Sequence, residues 1–205
     1  MTDAATADIV RAEALAGQAL AASPRSPLAH YAKGQVLRAQ GRFAEAIPEY
    51  ERALASNRNW VGALHALSQC KVFTGAIDEA IALAQQTIRL SPRDPLIHIF
   101  YFRIGQVHLL GSRIGEAIVW LEKARNGAPA HPNFRAWLAS AYALTGETGG
   151  ASTELAEARS LSGDDRYSSL ARLQAVPGLW GLPKIQALFE ATYFAGLRKA
   201  GMPEE

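Results

Sequence analysis

Side chains that could perform chemistry are scattered along this 205-residue chain. The single cysteine, Cys70, has no evident base beside it that would activate a nucleophile, so we interpret it as a small buried apolar residue. No pair of histidines has metal-ligand spacing with a companion cysteine or carboxylate. The histidines are His30, His65, His98, His108 and His131. The sequence therefore predicts no metal site, no cofactor and no enzymatic activity.

Two other patterns only superficially suggest a site. Glu45, Glu79 and Glu116 recur along the chain, but they occupy equivalent positions of a repeat, so the repeat itself separates them. The glycine-rich stretch 146–150 could suggest a phosphate-binding loop, yet no strand precedes it and no lysine follows at the required place. We interpret the glutamates as surface residues and the glycines as a turn between helices.

Charge and hydropathy exclude two classes of partner. Lysine and arginine number 21 against 19 acidic residues, and the basic residues form no stripe for nucleic acid. The start of the chain lacks a basic segment followed by an apolar core, and polar side chains interrupt its most apolar run, Leu96 to Leu110. We expect a soluble, cytoplasmic protein with no membrane insertion.

The elements that position these residues follow from an internal repeat. One alanine series has steps of 34, 34, 37 and 34 residues: Ala12, Ala46, Ala80, Ala117 and Ala151. A second series has the same steps: Ala19, Ala53, Thr87, Ala124 and Ala158. A glycine recurs between helical segments at Gly41, Gly75, Gly111 and Gly146. A unit of this length holds two antiparallel helices, with small residues where the helices approach closely and glycine in the turn.

The repeat resembles that of the tetratricopeptide-repeat (TPR) family, with Trp/Leu/Gly/Tyr positions in helix A and Ala/Phe/Ala/Pro positions in helix B. The resemblance implies an all-α fold, a right-handed superhelical solenoid of antiparallel helix pairs. We expect A helices at about 27–40, 60–74, 95–110 and 132–145, and B helices at about 43–56, 77–90, 114–126 and 148–161. An opening helix at about 6–22 makes four and a half repeats within residues 1–163. The third full unit has three extra residues, which predicts a longer A helix and a reshaped turn at Gly111, Ser112 and Arg113.

In TPR arrays the ligand groove lies on the concave face, at fixed positions of the A helices. Carried onto this chain, the peptide-binding groove consists of Leu28, Tyr31, Gln35, Arg38, His65, Gln69, Phe73, Phe102 and Gln106, with Gly62, Val72, Asn133 and Ser140 as further members. The family's carboxylate clamp needs Lys and Asn where this chain has Tyr31 and Gln35. The resemblance thus implies a protein or peptide partner that is not bound through that clamp.

A second resemblance concerns the whole chain. It is similar to the C-terminal TPR region behind class III adenylate/guanylate cyclase domains of alphaproteobacteria, above all in the ending from Tyr193 to Glu204. Further shared stretches are 59–64, 90–95 and 120–125. This resemblance implies a regulatory module of a bacterial signalling protein. The chain lacks the metal-binding aspartates and the βαβ-type core of a cyclase, so it would be a fragment or a free-standing relative.

Residues 164–205 do not repeat, and two placements of them are open. Asp164 and Asp165 can cap a short helix through about Gln174, and Pro183 can begin a final helix ending near Ala200. We expect these capping helices to cover the last repeat around Leu155 and Leu161. The alternative is that Pro177, Gly178 and Gly181 form a hinge, so that the final helix enters the groove or reaches a second molecule. The function predicted is a non-catalytic protein-protein interaction scaffold, with self-association as a homodimer the alternative.

Overall fold

The structure is a computed structural model that describes residues 3–176 and 183–205; within them it contains helices and no strand. The first nine helices follow the repeat. They are α1 (Asp3–Ala22), α2 (Pro27–Ala39), α3 (Phe43–Ser56), α4 (Val61–Thr74), α5 (Ile77–Leu90), α6 (Ile97–Leu110), α7 (Ile114–Gly127), α8 (Pro132–Thr145) and α9 (Thr148–Leu161). The predicted all-α solenoid is confirmed. No helix among the described residues is long and apolar enough to cross a membrane.

Prolines and short polar side chains set several helix starts, as predicted. Pro27 and Pro132 are the first residues of α2 and α8, and Ser26 caps α2 by accepting a hydrogen bond from the Ala29 amide at 3.3 Å. Helix α6 differs, because it begins at Ile97 and not at 95. The Asp94 carboxylate accepts a hydrogen bond from the Leu96 amide at 2.9 Å, and this bond stabilises a turn before the helix.

The extra residues of the third unit lie in its connections, so the predicted longer A helix is wrong. Helix α6 has 14 residues, the same length as α4 and α8. The connection from α5 runs from Ser91 to Leu96, and the turn into α7 has its left-handed residue at Ser112 (φ 58°) instead of at Gly111. The glycine series therefore fails at this turn, whereas Gly41, Gly75 and Gly146 do have positive φ.

The small residues of the repeat lie at the helix contacts. Ala46, Ala80, Ala117 and Ala151 are fully buried, as predicted, and so are the members of the second series from Ala53 onward. Their counterparts in α1, Ala12 and Ala19, are exposed. Helix α1 packs against α2, and it turns Ala16 inward instead.

The helices form two layers. The inner helices, α2, α4, α6 and α8, contact one another in sequence, and each also packs against the outer helix that follows it, α3, α5, α7 or α9. Large apolar side chains fill the space between the layers, including Tyr50, Leu121 and Leu155. This arrangement leaves one side of the inner helices as a continuous face, which we call the inner face.

The non-repeat segment begins close to the last repeat and then crosses the inner face. It comprises α10 (Leu170–Gln174), α11 (Pro183–Phe189), a π-helical turn (Glu190–Phe194) and α12 (Ala195–Lys199). Helix α11 contacts α4, the π-helical turn contacts α6 and α8, and α12 contacts α8. We call residues 183–199 the docked segment. The proposed hinge at Pro177, Gly178 and Gly181 lies outside the described residues.

This placement differs in part from the expectation that the final helix covers the last repeat locally, because the segment packs on α8 of that repeat but also reaches α4. Phe189 contacts Phe73 of α4 as well as Trp137 of α8, and Leu161 remains 37% exposed. The reason is the chemistry of the two surfaces. The outward side of α9 carries small and polar residues, whereas the inner face offers the large aromatic rings of Phe73 and Trp137.

Candidate functional site

The residues predicted to form a groove lie on the inner helices, where they divide into two groups. Tyr31, Gln35, Arg38 and His65 line one cavity, which we call the N-terminal cavity. Gln69, Phe73, Phe102 and Gln106 line a second, which we call the C-terminal cavity. Leu28 lines neither of these two cavities and is 67% exposed at the start of α2.

The N-terminal cavity has a volume of about 310 Å³ and lies between α2, α4 and the start of α6. Its floor includes Gly62, where an added Cβ would meet the Tyr31 hydroxyl at 3.3 Å. The Tyr31 ring packs on Trp60, with 4.5 Å between the ring centroids. No residue of the docked segment lines this cavity. The docked segment therefore leaves this half of the inner face uncovered.

Arg38 joins two inner helices through neutral partners. Its guanidinium donates from Nε and Nη2 to Oε1 of Gln35 at 3.0 and 2.7 Å, and from Nη1 to Oε1 of Gln69 at 2.9 Å. Asp94 also lines this cavity, but its carboxylate accepts from Ser91 Oγ and the Leu96 amide. Among the described residues, no carboxylate forms an ion pair with Arg38.

The C-terminal cavity has a volume of about 280 Å³ and is covered by the docked segment. Phe189 lies parallel to Phe73, with 6.3 Å between centroids and 6° between ring planes, and meets Trp137 edge-on at 5.6 Å. Tyr193 stacks on Trp137 at 4.1 Å. Aromatic rings from three inner helices and the docked segment thus form one apolar cluster, including Phe102 of α6.

A polar contact fixes the docked segment on α8. The Ser140 hydroxyl donates to the Tyr193 carbonyl at 2.9 Å, and Ser140 is itself fully buried. Gly196 lies directly against the same residue, since an added Cβ would stand 2.5 Å from the Ser140 carbonyl oxygen. Only glycine permits this approach of α12 to α8. Ser140 is one of the residues that sequence reasoning placed on the groove.

Arg103 is a buried cation beside the C-terminal cavity. It is 4% exposed, and its Nη1 donates to Oε1 of Gln106, while its Nε has no hydrogen-bond partner among the described residues. Burial, together with repulsion from Arg38, lowers the pKa of Arg103 to about 10, so the group remains charged at neutral pH. Within the described part of the chain no carboxylate pairs with it. Sequence reasoning missed this residue, although a charge within the most apolar run of the chain was a visible signal.

His65 and Cys70 are poor candidates for chemistry. Burial, with repulsion from Arg103 and Arg38, lowers the pKa of His65 to about 3, which keeps the imidazole neutral. Burial raises the pKa of the Cys70 thiol to about 12, so no reactive thiolate forms. Cys70 is fully buried, as predicted. In the described ranges, no three histidine, cysteine or acidic side chains come together as a metal site.

Comparison with known proteins identifies the repeats. Two family models, both described as tetratricopeptide repeat, match residues 37–103 and 5–59. No curated protein matches the chain significantly.

Solved structures share the fold at low sequence identity. A thermophilic TPR protein of Thermus thermophilus, TTC0263, is 22% identical with a TM-score of 0.65, over 83% of this chain and 93% of that one. PilW, a type IV pilus biogenesis factor, is 17% identical with a TM-score of 0.70, over 94% and 90% of the two chains. PilF of Pseudomonas aeruginosa is 17% identical with a TM-score of 0.69, over 96% and 86%.

The matches to the repeat family and the solenoid shared with these structures agree with the two-helix period of the sequence. Residues 5–103 thus match tetratricopeptide-repeat models, and the described chain has the helical-solenoid fold of the TPR structures that it resembles.

Proposed function

We propose that this chain is a non-catalytic protein-binding scaffold whose inner face binds a helical segment of a partner protein. TPR proteins generally act as protein-interaction scaffolds. The observation that carries the proposal is the docked segment itself. A helix of this chain lies on the inner face through Phe189, Tyr193 and the Ser140 hydrogen bond, which is the geometry of helix-in-groove recognition.

The two halves of the inner face have different roles in this proposal. The docked segment covers Phe73, Phe102 and the aromatic ring of Trp137, so a partner reaches this half only by displacing it. The N-terminal half, with Tyr31 and Arg38, is open to a partner at once. The docked segment therefore competes with the partner for one half of the groove and limits its affinity.

The biological setting that we propose is bacterial signalling. The likeness of residues 193–204 to the region behind class III cyclase domains supports it. The first part of that stretch, residues 193–199, belongs to the docked segment and contacts α8. An in-frame cyclase or DNA-binding domain upstream of Met1 in the genome would support this setting. An isolated reading frame with no signalling gene beside it would argue against it.

Self-association is the alternative. The contacts that Phe189 and Gly196 make within one chain could equally be made by the same segment of a second copy, because exchange of an element between identical chains reuses the same contacts. Light scattering separates the two proposals. A monomeric mass across the micromolar range favours the scaffold, and a dimer that dissociates on Gly196→Ala substitution favours exchange.

The scaffold proposal is tested by adding the docked segment to the protein as a separate peptide. A fluorescent peptide of residues 183–201 is titrated into three full-length proteins: wild type, Gly196→Ala and Gly149→Ala. Gly149 is the matched control, because it lies in a helix and an added Cβ there meets nothing within 4 Å. We expect fluorescence anisotropy to detect at least tenfold tighter binding to Gly196→Ala than to the other two, since its own helix has been released.

A second peptide keeps the result specific to the groove. The same peptide with Phe189→Ala should bind Gly196→Ala at least tenfold more weakly, because the ring that faces Phe73 and Trp137 is missing. Circular dichroism verifies that all three proteins retain their helices. Equal binding of the peptide to wild type and Gly196→Ala, or no effect of the Phe189 substitution, would overturn the proposal.

A further inference from the structure

Two residues that line the C-terminal cavity each carry a buried hydrogen-bond donor that has no partner among the described residues. One is Nε of Arg103, and the other is the hydroxyl of Tyr193, which is fully buried. Both residues line this cavity, although they come from different parts of the chain. A buried donor without a partner loses its hydration and gains nothing in return, so two of them at one cavity indicate a missing acceptor.

The charge balance specifies an anion. Among the described residues, no aspartate or glutamate lines the cavity, while Arg103 brings a full positive charge. Arg166 also lines it, but Asp164 already neutralises that arginine through a bidentate contact. Burial raises the pKa of Tyr193, so its hydroxyl stays protonated and can donate. The cavity thus combines one uncompensated charge with a neutral donor.

The shape of the donors and walls favours a carboxylate over a phosphate. A guanidinium binds a carboxylate through side-by-side N–H groups, and a monoanion matches the single uncompensated charge of Arg103. The walls also include Phe73, Phe102 and Trp137, which suit a short apolar stem and disfavour a strongly hydrated dianion. A volume of about 280 Å³ has room for a carboxylate and a few attached atoms.

We propose that the C-terminal cavity binds a carboxylate group, with Arg103 as its ion-pair partner and the Tyr193 hydroxyl as a second donor. The inference deepens the proposed function, because a partner peptide that enters the inner face brings side-chain and terminal carboxylates to this cavity. Since Tyr193 belongs to the docked segment, a bound carboxylate also links that segment to α6. Carboxylate binding therefore strengthens the docking of residues 183–199.

The test follows the Arg103 Nε–H signal by NMR in the full-length protein. Three probes separate the sources of a carboxylate: N-acetylglutamate methylamide has only a side-chain carboxylate, N-acetylalanine only a terminal one, and butyrate is a free small acid. N-acetylglutamine methylamide is the neutral control, and inorganic phosphate is the competing anion. We expect a saturable downfield shift of the Arg103 signal with at least one carboxylate, and no saturable shift with the neutral control or with phosphate.

Two variants assign the effect to the cavity. Tyr193→Phe should weaken carboxylate binding at least threefold without lowering the melting temperature, because its hydroxyl has no partner to lose. Tyr50→Phe is the matched control, since Tyr50 is also fully buried but does not line this cavity. It should leave binding unchanged. Arg103→Gln should abolish the saturable effect of carboxylates on the Tyr193 ring signals.

The carboxylate site and the proposed function can be disproved independently. The peptide experiment above does not involve Arg103, so the docked segment can be a true groove ligand even if no carboxylate binds. An Arg103 signal unmoved by all three carboxylates at 50 mM or so, or moved equally by the neutral control, would overturn the carboxylate site. A saturable response to phosphate alone would also overturn it, because a carboxylate would then be the wrong ligand.

Discussion

Glu154 in α9 illustrates how a single buried carboxylate joins neighbouring repeats. It is 5% exposed and accepts hydrogen bonds from Arg125 of α7 and from Nη1 of Arg135 of α8, the latter at 2.8 Å. Glu154→Ala leaves both guanidinium groups, which are themselves partly buried, without this counterion. We expect the free energy of unfolding to fall by about 2 kcal/mol in urea denaturation.

Glu157 provides the control for this prediction, because it lies on the same helix and is exposed. Glu157→Ala should change the free energy of unfolding by no more than about 0.5 kcal/mol. If the two substitutions had equally small effects, the ion pairs of Glu154 would not contribute to the joining of α7, α8 and α9.

His65 predicts how stability depends on pH. Burial and the nearby Arg103 and Arg38 lower its pKa from 6.5 to about 3, so the unfolded chain takes up a proton that the folded chain does not. The contribution of the neutral His65 to the free energy of unfolding is fully present above about pH 6.5 and is lost as the pH falls towards 3. The free energy of unfolding then changes by at most about 1.4 kcal/mol per pH unit. His65→Gln should lack this component when urea denaturation is compared at pH 7, 6 and 5. Parallel pH curves for the two proteins would show that His65 is protonated equally in both states.

At the scale of the elements, the alanine series sets the spacing between helices. Ala80 of α5 is fully buried, and the Ser68 hydroxyl of α4 donates to its carbonyl at 2.8 Å. A leucine here must push α4 and α5 apart. Ala80→Leu should therefore lower the free energy of unfolding by about 1–3 kcal/mol, together with the melting temperature.

Ala82 on the same helix is exposed and gives the matched control. Ala82→Leu adds the same atoms without crowding a neighbour, so its melting temperature should stay close to that of wild type. A wild-type melting temperature for Ala80→Leu would mean that the two helices do not meet at this alanine.

The helix boundaries could be predicted from the sequence because local signals agree with the repeat. Ser26 and Pro27 mark the start of α2, and positive φ at Gly75 and Gly146 marks the ends of α4 and α8. The repeat length and these local start and stop residues therefore predict the same helix boundaries. The third unit has the predicted reshaped turn at residues 111–113, but the sequence did not identify Ser112 as its left-handed residue. A non-glycine residue in the left-handed region is uncommon, and nothing in the residue type of serine announces it.

At the scale of the whole molecule, the sequence could place groove residues on inner helices but could not assign the docked segment to them. The amphipathic pattern of residues 185–197 predicts a helix with one buried face, and it does not say which surface buries that face. Both the outer side of α9 and the aromatic rings of Phe73 and Trp137 were available. Ring packing and the close approach of Gly196 to Ser140 depend on three-dimensional geometry, so only the structure distinguishes the two.

The same limit applies to the C-terminal cavity. Gln69, Phe73, Phe102 and Gln106 were predictable because they recur at equivalent positions of the A helices. The role of Arg103 and Tyr193 was not, because it depends on burial without a partner in the folded molecule, and the position of Arg103 in the most apolar run signals only that a charge is buried. The repeat thus predicts which residues line the groove. The segment that occupies the groove and the unpaired charge of Arg103 can be seen only in the folded molecule.

Hydrogen–deuterium exchange of the full-length protein tests most directly the central claim, that the docked segment occupies the inner face. In wild type, the amides of residues 183–199 should exchange at least about 100-fold more slowly than in an unstructured peptide. In Gly196→Ala they should lose that protection while α2 to α5 keep theirs, and in Gly149→Ala the pattern of wild type should remain. Unprotected amides at 183–199 in wild type beside well-protected repeats, or identical patterns in all three proteins, would contradict the account.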